Sequence, residues 1–299
     1  MASSVLVPLT APLDVPGSIE PFRRWGDDLL DRWDGQRLLR TVRLAGRTIA
    51  VAAESAGSLD RPALRVWAAE VADAPAAGAA LARTFVVAPA SFAGLLGRDP
   101  VVADLERAHP GLRPVLVPDL FTALVRSISA QQVNLSWAAT TRRRLAGAFG
   151  ERHAVGGGEV WSIAAERLAT ASPEEIRALQ FTNAKARAIV AAAQALASGA
   201  VSQAELASLP DEAVIDRLVA LPGVGRWTAE WILARTFGRP RVVAGDLGVR
   251  KAVARAYLGR DIASQDEVRS ATAHWGESAA VAQALLLRSL VAEPPGDAP

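Results

Sequence analysis

The stretch LPGVGRWTAEWILARTFGRPRVVAGD, residues 221–246, gathers groups suited to a charged substrate. Asp246 is a carboxylate that can stabilise a cationic transition state, orient a water or accept its proton. At the head of a helix beginning at Leu247 it can equally serve as the N-cap, and the two roles are compatible. Trp227 and Trp231 stand one helical turn apart, so their indoles share a helix face, where they can line a pocket or fill a core. Such rings would hold an electron-poor, positively charged ring by roughly 0.5–2 kcal/mol. Gly223-Val224-Gly225 joins two helix-length segments through a turn in which glycine permits close backbone approach. The turn leaves the first N–H groups of the next helix free and aimed outward, a phosphate site that needs no side chain. An ordinary corner of a helical bundle would use the same residues.

The elements that position these groups follow from periodicity. RLLRTVRLAGRTIAVAAE (37–54) alternates on both sides of Ala45-Gly46 and predicts a β-hairpin; ALRVWAAEV (63–71) predicts another strand. PFRRWGDDLLDRW (21–33) predicts a short amphipathic helix. From Asp119 onward the period is helical. Helices are predicted at 119–131, with Asp119 as N-cap, 136–149, 161–171, 173–180, 183–199, 203–208, 211–220, 225–238 and 247–258, with a last pair within 265–292. The tail EPPGDAP reads as loose. The expected fold class is therefore α+β: an N-terminal α+β domain with an antiparallel sheet over 1–112, then a mostly helical region over 113–299, its helix–hairpin–helix at about 211–238.

The chain of 299 residues has no cysteine, which excludes disulfides, cysteine-ligated zinc, iron–sulfur clusters and thiol catalysis. The first residues carry no basic segment ahead of an apolar one, and no apolar run approaches a membrane span. A soluble, intracellular, cytoplasmic protein is expected, monomeric and without membrane contact. Net charge is only +2, but it is unevenly spread. Residues 121–147 hold Arg126, Arg142, Arg143 and Arg144 with no acid, and residues 221–260 hold eight basic residues against Glu230 and Asp246. Two basic stretches on a nearly neutral chain suit a polyanionic partner on one side, or are solubilising helix faces.

The stretches LPGVGRWTAEWILA and AGDLGVRKAV together resemble the helix-hairpin-helix DNA glycosylase superfamily. HPGLRPVLVPDLFTALVRSISAQQVNLSWAATTRRRLAGAFG and LQFTNAKARAIVAAAQAL resemble its alkylpurine branch, the 3-methyladenine DNA glycosylase II family. The likeness covers about residues 80–260 well, the strand-rich N-terminus plausibly and the last forty residues poorly. It implies mostly helical glycosylase domains and a partner, double-stranded DNA containing damaged bases, from which one nucleotide is flipped into a pocket. By resemblance Asp246 is the catalytic carboxylate. Trp227, Trp231, Gln131 and Trp275 are then base-pocket residues. Gly223, Val224, Gly225, Arg226, Gln132, Arg250 and Lys251 are DNA-binding residues, Gln132 filling the gap left by the flipped base. Gln131 and Gln132 could equally be a polar helix cap.

Lyase relatives place a lysine where this chain has Trp227, and its two lysines, Lys185 and Lys251, stand elsewhere. The resemblance thus implies a monofunctional enzyme of base excision repair that leaves an abasic site after releasing 3-methyladenine or 7-methylguanine. No cofactor and no catalytic metal are expected; a monovalent cation on hairpin carbonyls is compatible with the resemblance. The chain departs from the family in two places. The W-x-P-W-R-S segment is reduced to HWGESAAV, keeping Trp275 alone, and Leu247 replaces an aromatic found beside the aspartate. These departures keep two alternatives open: excision of another lesion such as uracil, a mismatched base or a bulkier adduct, or non-catalytic binding of distorted DNA.

Overall fold

The computed structural model describes residues 4–291; the tail EPPGDAP lies outside them. Five antiparallel strands form the N-terminal sheet: β1 (Val5–Pro8), β2 (Asp31–Trp33), β3 (Arg37–Leu44), β4 (Arg47–Ser58) and β5 (Arg61–Ala68), in the order β1-β5-β4-β3-β2. The predicted β3–β4 hairpin closes at Ala45-Gly46, both at positive φ, with Leu44 opposite Arg47. Residues 21–33 are not one helix. After α1 (Val15–Ile19), only Pro21–Arg24 is helical (α2). Gly26 breaks it at φ 110°, and the carboxylates of Asp27 and Asp28 accept from the amides of Leu29 and Leu30, turning the chain so that Asp31 pairs with Arg40 at the sheet edge.

The period of two gives the sheet two apolar faces. Leu38, Val42, Ile49, Val51, Leu64 and Val66 face one core with α3 (Ala74–Ala82). Ala50, Ala52, Leu39 and Trp67 face the other way, onto Val155 and Val160. Those two residues belong to a hairpin that the sequence pattern did not reveal, β6 (Glu151–Val155) and β7 (Gly158–Ser162). Its turn needs glycine: a Cβ on Gly156 would lie 2.5 Å from the Ala52 Cβ, and one on Gly158 2.6 Å from Leu39 Cδ1. The helix expected at 161–171 shrinks accordingly, because Trp161 and Ser162 are in β7.

Two helical lobes follow. Before the hairpin come α4 (Phe92–Arg98), α5 (Pro100–Ala108), α6 (Leu120–Ala130) and α7 (Leu135–Phe149). After it come α8 (Ala165–Leu168), α9 (Pro173–Ala178), α10 (Asn183–Ala197), α11 (Gln203–Ser208), α12 (Asp211–Val219) and α13 (Arg226–Arg235). The chain ends with α14 (Leu247–Val253), α15 (Gln265–Thr272) and α16 (Ala279–Arg288). One core joins α6, α7, α10, α12 and α13; another joins α4, α5 and α14–α16. The helix expected at 247–258 is regular only to Val253, then widens into a π turn that Gly259 ends in the left-handed region. No helix among the described residues is long and apolar enough to cross a membrane.

A buried ionic network ties the sheet to the first lobe. Asp31 pairs with Arg40 at 2.8 Å and Arg126 at 2.7 Å; Asp28 pairs with Arg126 at 2.8 Å and Arg142 at 2.9 Å. Burial pushes the Asp28 carboxyl up, but Arg126 and Arg142 outweigh it and hold the group below its ordinary value. Two of the four arginines in the first basic stretch are thus internal structure. Arg143 pairs with Asp27, and Arg144 lies over the Trp137 ring and donates to Gln180.

Candidate active site

The helix–hairpin–helix consists of α12, the turn Leu221–Gly225 and α13. Gly223 turns the chain at φ 75°, Val224 plugs the turn into the core, and Gly225 is the N-cap of α13. No side chain caps that N-terminus, so its leading amides keep their outward donors. A Cβ on Gly223 would sit 2.6 Å from that of Ala188, so the turn presses directly on α10.

Asp246 begins α14 at the far end of the loop from α13. Its Oδ1 accepts from the Val249 amide at 3.0 Å, the N-cap bond anticipated from sequence. Its Oδ2 accepts from the Trp227 indole Nε1 at 3.2 Å. The carboxylate is therefore held at both oxygens, one by a helix N-terminus and one by the hairpin helix. Gly248 is a participant that sequence reasoning passed over: a Cβ there would lie 3.0 Å from Asp246 Oδ1 and 3.2 Å from Leu287 Cδ2. The G-D-L-G spacing was the available signal. Leu247, beside the aspartate, is 54% exposed.

The two indoles of α13 divide. Trp227 is half-buried and reaches Asp246, whereas Trp231 packs partly buried against the core of the first lobe. Trp275 lies apart from an open wall: it is 1% exposed, inside the second helical core. Its indole donates to Asp99 Oδ2 at 3.1 Å, an oxygen that also accepts from Tyr257 at 2.7 Å and lies 2.8 Å from His274 Nε2. The cause is local, since Asp99 caps α5 with its other oxygen and needs donors for the remaining one. Burial, together with the hydrogen bond to Asp99, raises the Tyr257 pKa.

Gln131 and Gln132 form the turn between α6 and α7. Gln131 is the C-cap of α6, and its amide donates to the Gly223 carbonyl at 3.0 Å and to Thr228 Oγ1 at 3.3 Å. Thr228 also accepts from Ser127 at 3.0 Å, so buried hydroxyls, invisible in the pattern, lock this turn to the hairpin helix. Gln132 is exposed, at φ 54°. The Gly223 carbonyl is engaged by Gln131 and the Leu221 carbonyl by the Val224 amide at 3.1 Å.

Several arginines of the second basic stretch are held by acids and carbonyls of the chain itself. Glu230, with its side chain 3% exposed, accepts from Arg226 at 3.1 Å and Arg241 at 3.3 Å. Arg226 further pairs with Glu212 and Arg239 with Asp211; Arg250 donates to the Ala263 carbonyl at 2.7 Å. Lys251 and Arg255 on and after α14 are exposed.

The HhH-GPD superfamily base excision DNA repair protein pattern matches residues 125–278, from α6 through the hairpin and Asp246 to the segment holding Trp275. The chain belongs to this superfamily. A DNA-3-methyladenine glycosylase of Bacillus subtilis (strain 168) is 28% identical over 194 residues, 64% of each protein, so the chain matches under two thirds of that relative's length. The solved 3-methyladenine DNA-glycosylase from Archaeoglobus fulgidus superposes with a TM-score of 0.82 at 23% identity, over 96% of this chain and 98% of that one. A 3-methyladenine DNA glycosylase of Schizosaccharomyces pombe, solved in complex with abasic DNA, gives a TM-score of 0.58 at 23% identity, over 68% and 98%. At these identities the likeness is one of fold, and that to the Archaeoglobus protein spans both the sheet and the helical lobes.

Proposed function

We propose that this chain is a monofunctional DNA glycosylase of base excision repair, acting on alkylated purines flipped from duplex DNA. The observation that carries the reading is Asp246, locked at 3.0 and 3.2 Å between a helix amide and the hairpin-helix indole. Phosphates of the duplex bind the uncapped amides of α13 and exposed cations such as Lys251, while the exposed Gln132 enters the space left by the flipped nucleotide. Gln131, held against the hairpin, sets the depth of that turn.

In the reaction the bond between sugar C1′ and the base nitrogen breaks, and its electron pair leaves with the base. A purine alkylated at N3 or N7 carries positive charge and departs as a neutral molecule, so no strong general acid is required. Asp246 stabilises the oxocarbenium-like sugar, then accepts a proton from the water that attacks C1′. The products are a free base and an abasic site. No amine stands in for water: Lys185 donates to the Ser129 carbonyl at 2.8 Å, and Lys251 lies in the last turn of α14, away from its capped end.

A second reading, excision of a neutral or bulkier lesion, draws support from Trp275, which is withdrawn into the core, and from the exposed Leu247. Both thin the aromatic wall that a cationic base would favour. The test is release of bases from methylated duplex DNA by the natural protein and by Asp246→Asn, with binding to an abasic-site analogue measured for both. Release of 3-methyladenine or 7-methylguanine by the natural protein only, with binding by both, is expected. Binding by both without release would rule out methylpurines as substrate.

A further inference from the structure

We propose that Trp227 is a positioning residue that fixes the orientation of the Asp246 carboxylate through its indole N–H, beyond any part its ring plays as a pocket wall. This rests on the glycosylase reading for its consequence, though not for the bond itself. A carboxylate at a helix N-terminus can rotate about its side-chain bonds and exchange its oxygens. Here Val249 holds one oxygen and Trp227 the other, so both are assigned. The indole is suited to this because it is a donor only. It cannot accept a proton from the acid, pair with its charge or turn to offer a lone pair.

The fold builds this contact from two independent elements. Trp227 is set at the second position of α13 by the Gly225 cap, and Asp246 is set as the cap of α14. The indole lies alongside the loop at Gly245, where a Cβ would stand 3.6 Å from the Trp227 Cβ and Cδ1, an ordinary contact distance. The half-buried ring shields the bond from water, and the exposed hairpin sits at the start of the same helix.

Two measurements test this. The chain has eight tryptophans, so an amide-correlation NMR spectrum shows eight indole N–H peaks; Trp227→Phe removes one and thereby assigns it. Asp246→Ala should move that peak upfield while leaving the peaks of distant indoles in place, a readout needing no activity. An unmoved peak would overturn the proposal. In the second, Trp227→Phe keeps an aromatic face but loses the donor, and should lower kcat about ten- to a hundred-fold, the worth of one hydrogen bond to a charged group. KM should change less than about threefold, and Trp227→His, which restores a ring N–H, should recover part of kcat. In an Asp246→Asn background Trp227→Phe should add little, since the two act as a unit. A loss seen only in KM, or equally large in the Asp246→Asn background, would sink the positioning role. Absence of base release by the natural protein would instead refute the glycosylase reading, with the indole peak still deciding the bond.

Discussion

The two hairpin glycines make the sharpest prediction because the structure assigns them opposite burdens. Gly223 has φ 75°, and a Cβ there would lie 2.6 Å from the Ala188 Cβ. Holding an alanine in the left-handed region costs about 1–2 kcal/mol. Relieving the overlap costs roughly 1–3 kcal/mol more, because Ala188 is 2% exposed within the α10 core and cannot retreat. Gly223→Ala should therefore lose about 2–5 kcal/mol, a fall in melting temperature of roughly 3–8 °C for a protein of this size. Gly225 has no atom within 4 Å of a built Cβ and no positive φ. Gly225→Ala should cost at most about 1 kcal/mol, as alanine is the poorer N-cap. Its methyl would nonetheless stand at the uncapped amides of α13, so duplex affinity should fall while the fold is kept. Calorimetry and urea titration measure the first effect, and fluorescence anisotropy with an abasic duplex measures the second. Equal shifts in melting temperature, or a Gly223→Ala protein as stable as the natural one, would show that the hairpin is not pinned against α10 as described.

Other outcomes follow from the same contacts. Asp246→Asn keeps a good N-cap but has a single acceptor oxygen, so the Trp227 N–H loses its partner and stability in urea titrations should fall by about 0.5–1.5 kcal/mol, whereas Asp246→Ala, which loses the cap as well, should cost about 1–3 kcal/mol; equal losses would mean the cap contributes nothing. The Asp28 carboxyl is held below its ordinary value in the folded state by Arg126 and Arg142. Its contribution should be complete above the unfolded value near 4 and vanish as pH falls through the lower folded value. Asp28→Asn should thus cost about 3–5 kcal/mol at pH 7, with the gap to the natural protein narrowing below about pH 4 in urea titrations; a constant gap would contradict the ion-pair account. Lys251→Gln should reduce the salt slope of duplex binding by about one. Arg241→Gln should leave that slope unchanged but lower stability by about 1–3 kcal/mol, because the buried Glu230 loses a partner.

Short-range patterns encode the local elements of this chain. Alternation about Ala45-Gly46 specified the β3–β4 hairpin, and helical periodicity specified α6, α10, α11, α12 and α13 to within a few residues. The hairpin glycines and Asp246 as a helix cap were legible because turn conformation and capping are local properties of residue type. Tertiary structure alone decided which side chains those elements bring together. The arginines of both basic stretches read as a surface for a polyanion, yet Arg126, Arg142 and Arg241 are committed to Asp28, Asp31 and Glu230, acids up to about a hundred residues distant in the chain. Periodicity says which face a residue occupies, not what meets that face. Trp275 keeps its place in the motif yet is buried in the second helical core, where its indole joins Tyr257 and His274 on the Asp99 oxygen that does not cap α5. Residues 151–162 were too short and glycine-rich to signal a hairpin, which exists because the far face of the sheet needed covering. The bond from Trp227 to Asp246 joins two locally legible groups across nineteen residues, and only the packing of two helix starts against each other makes it.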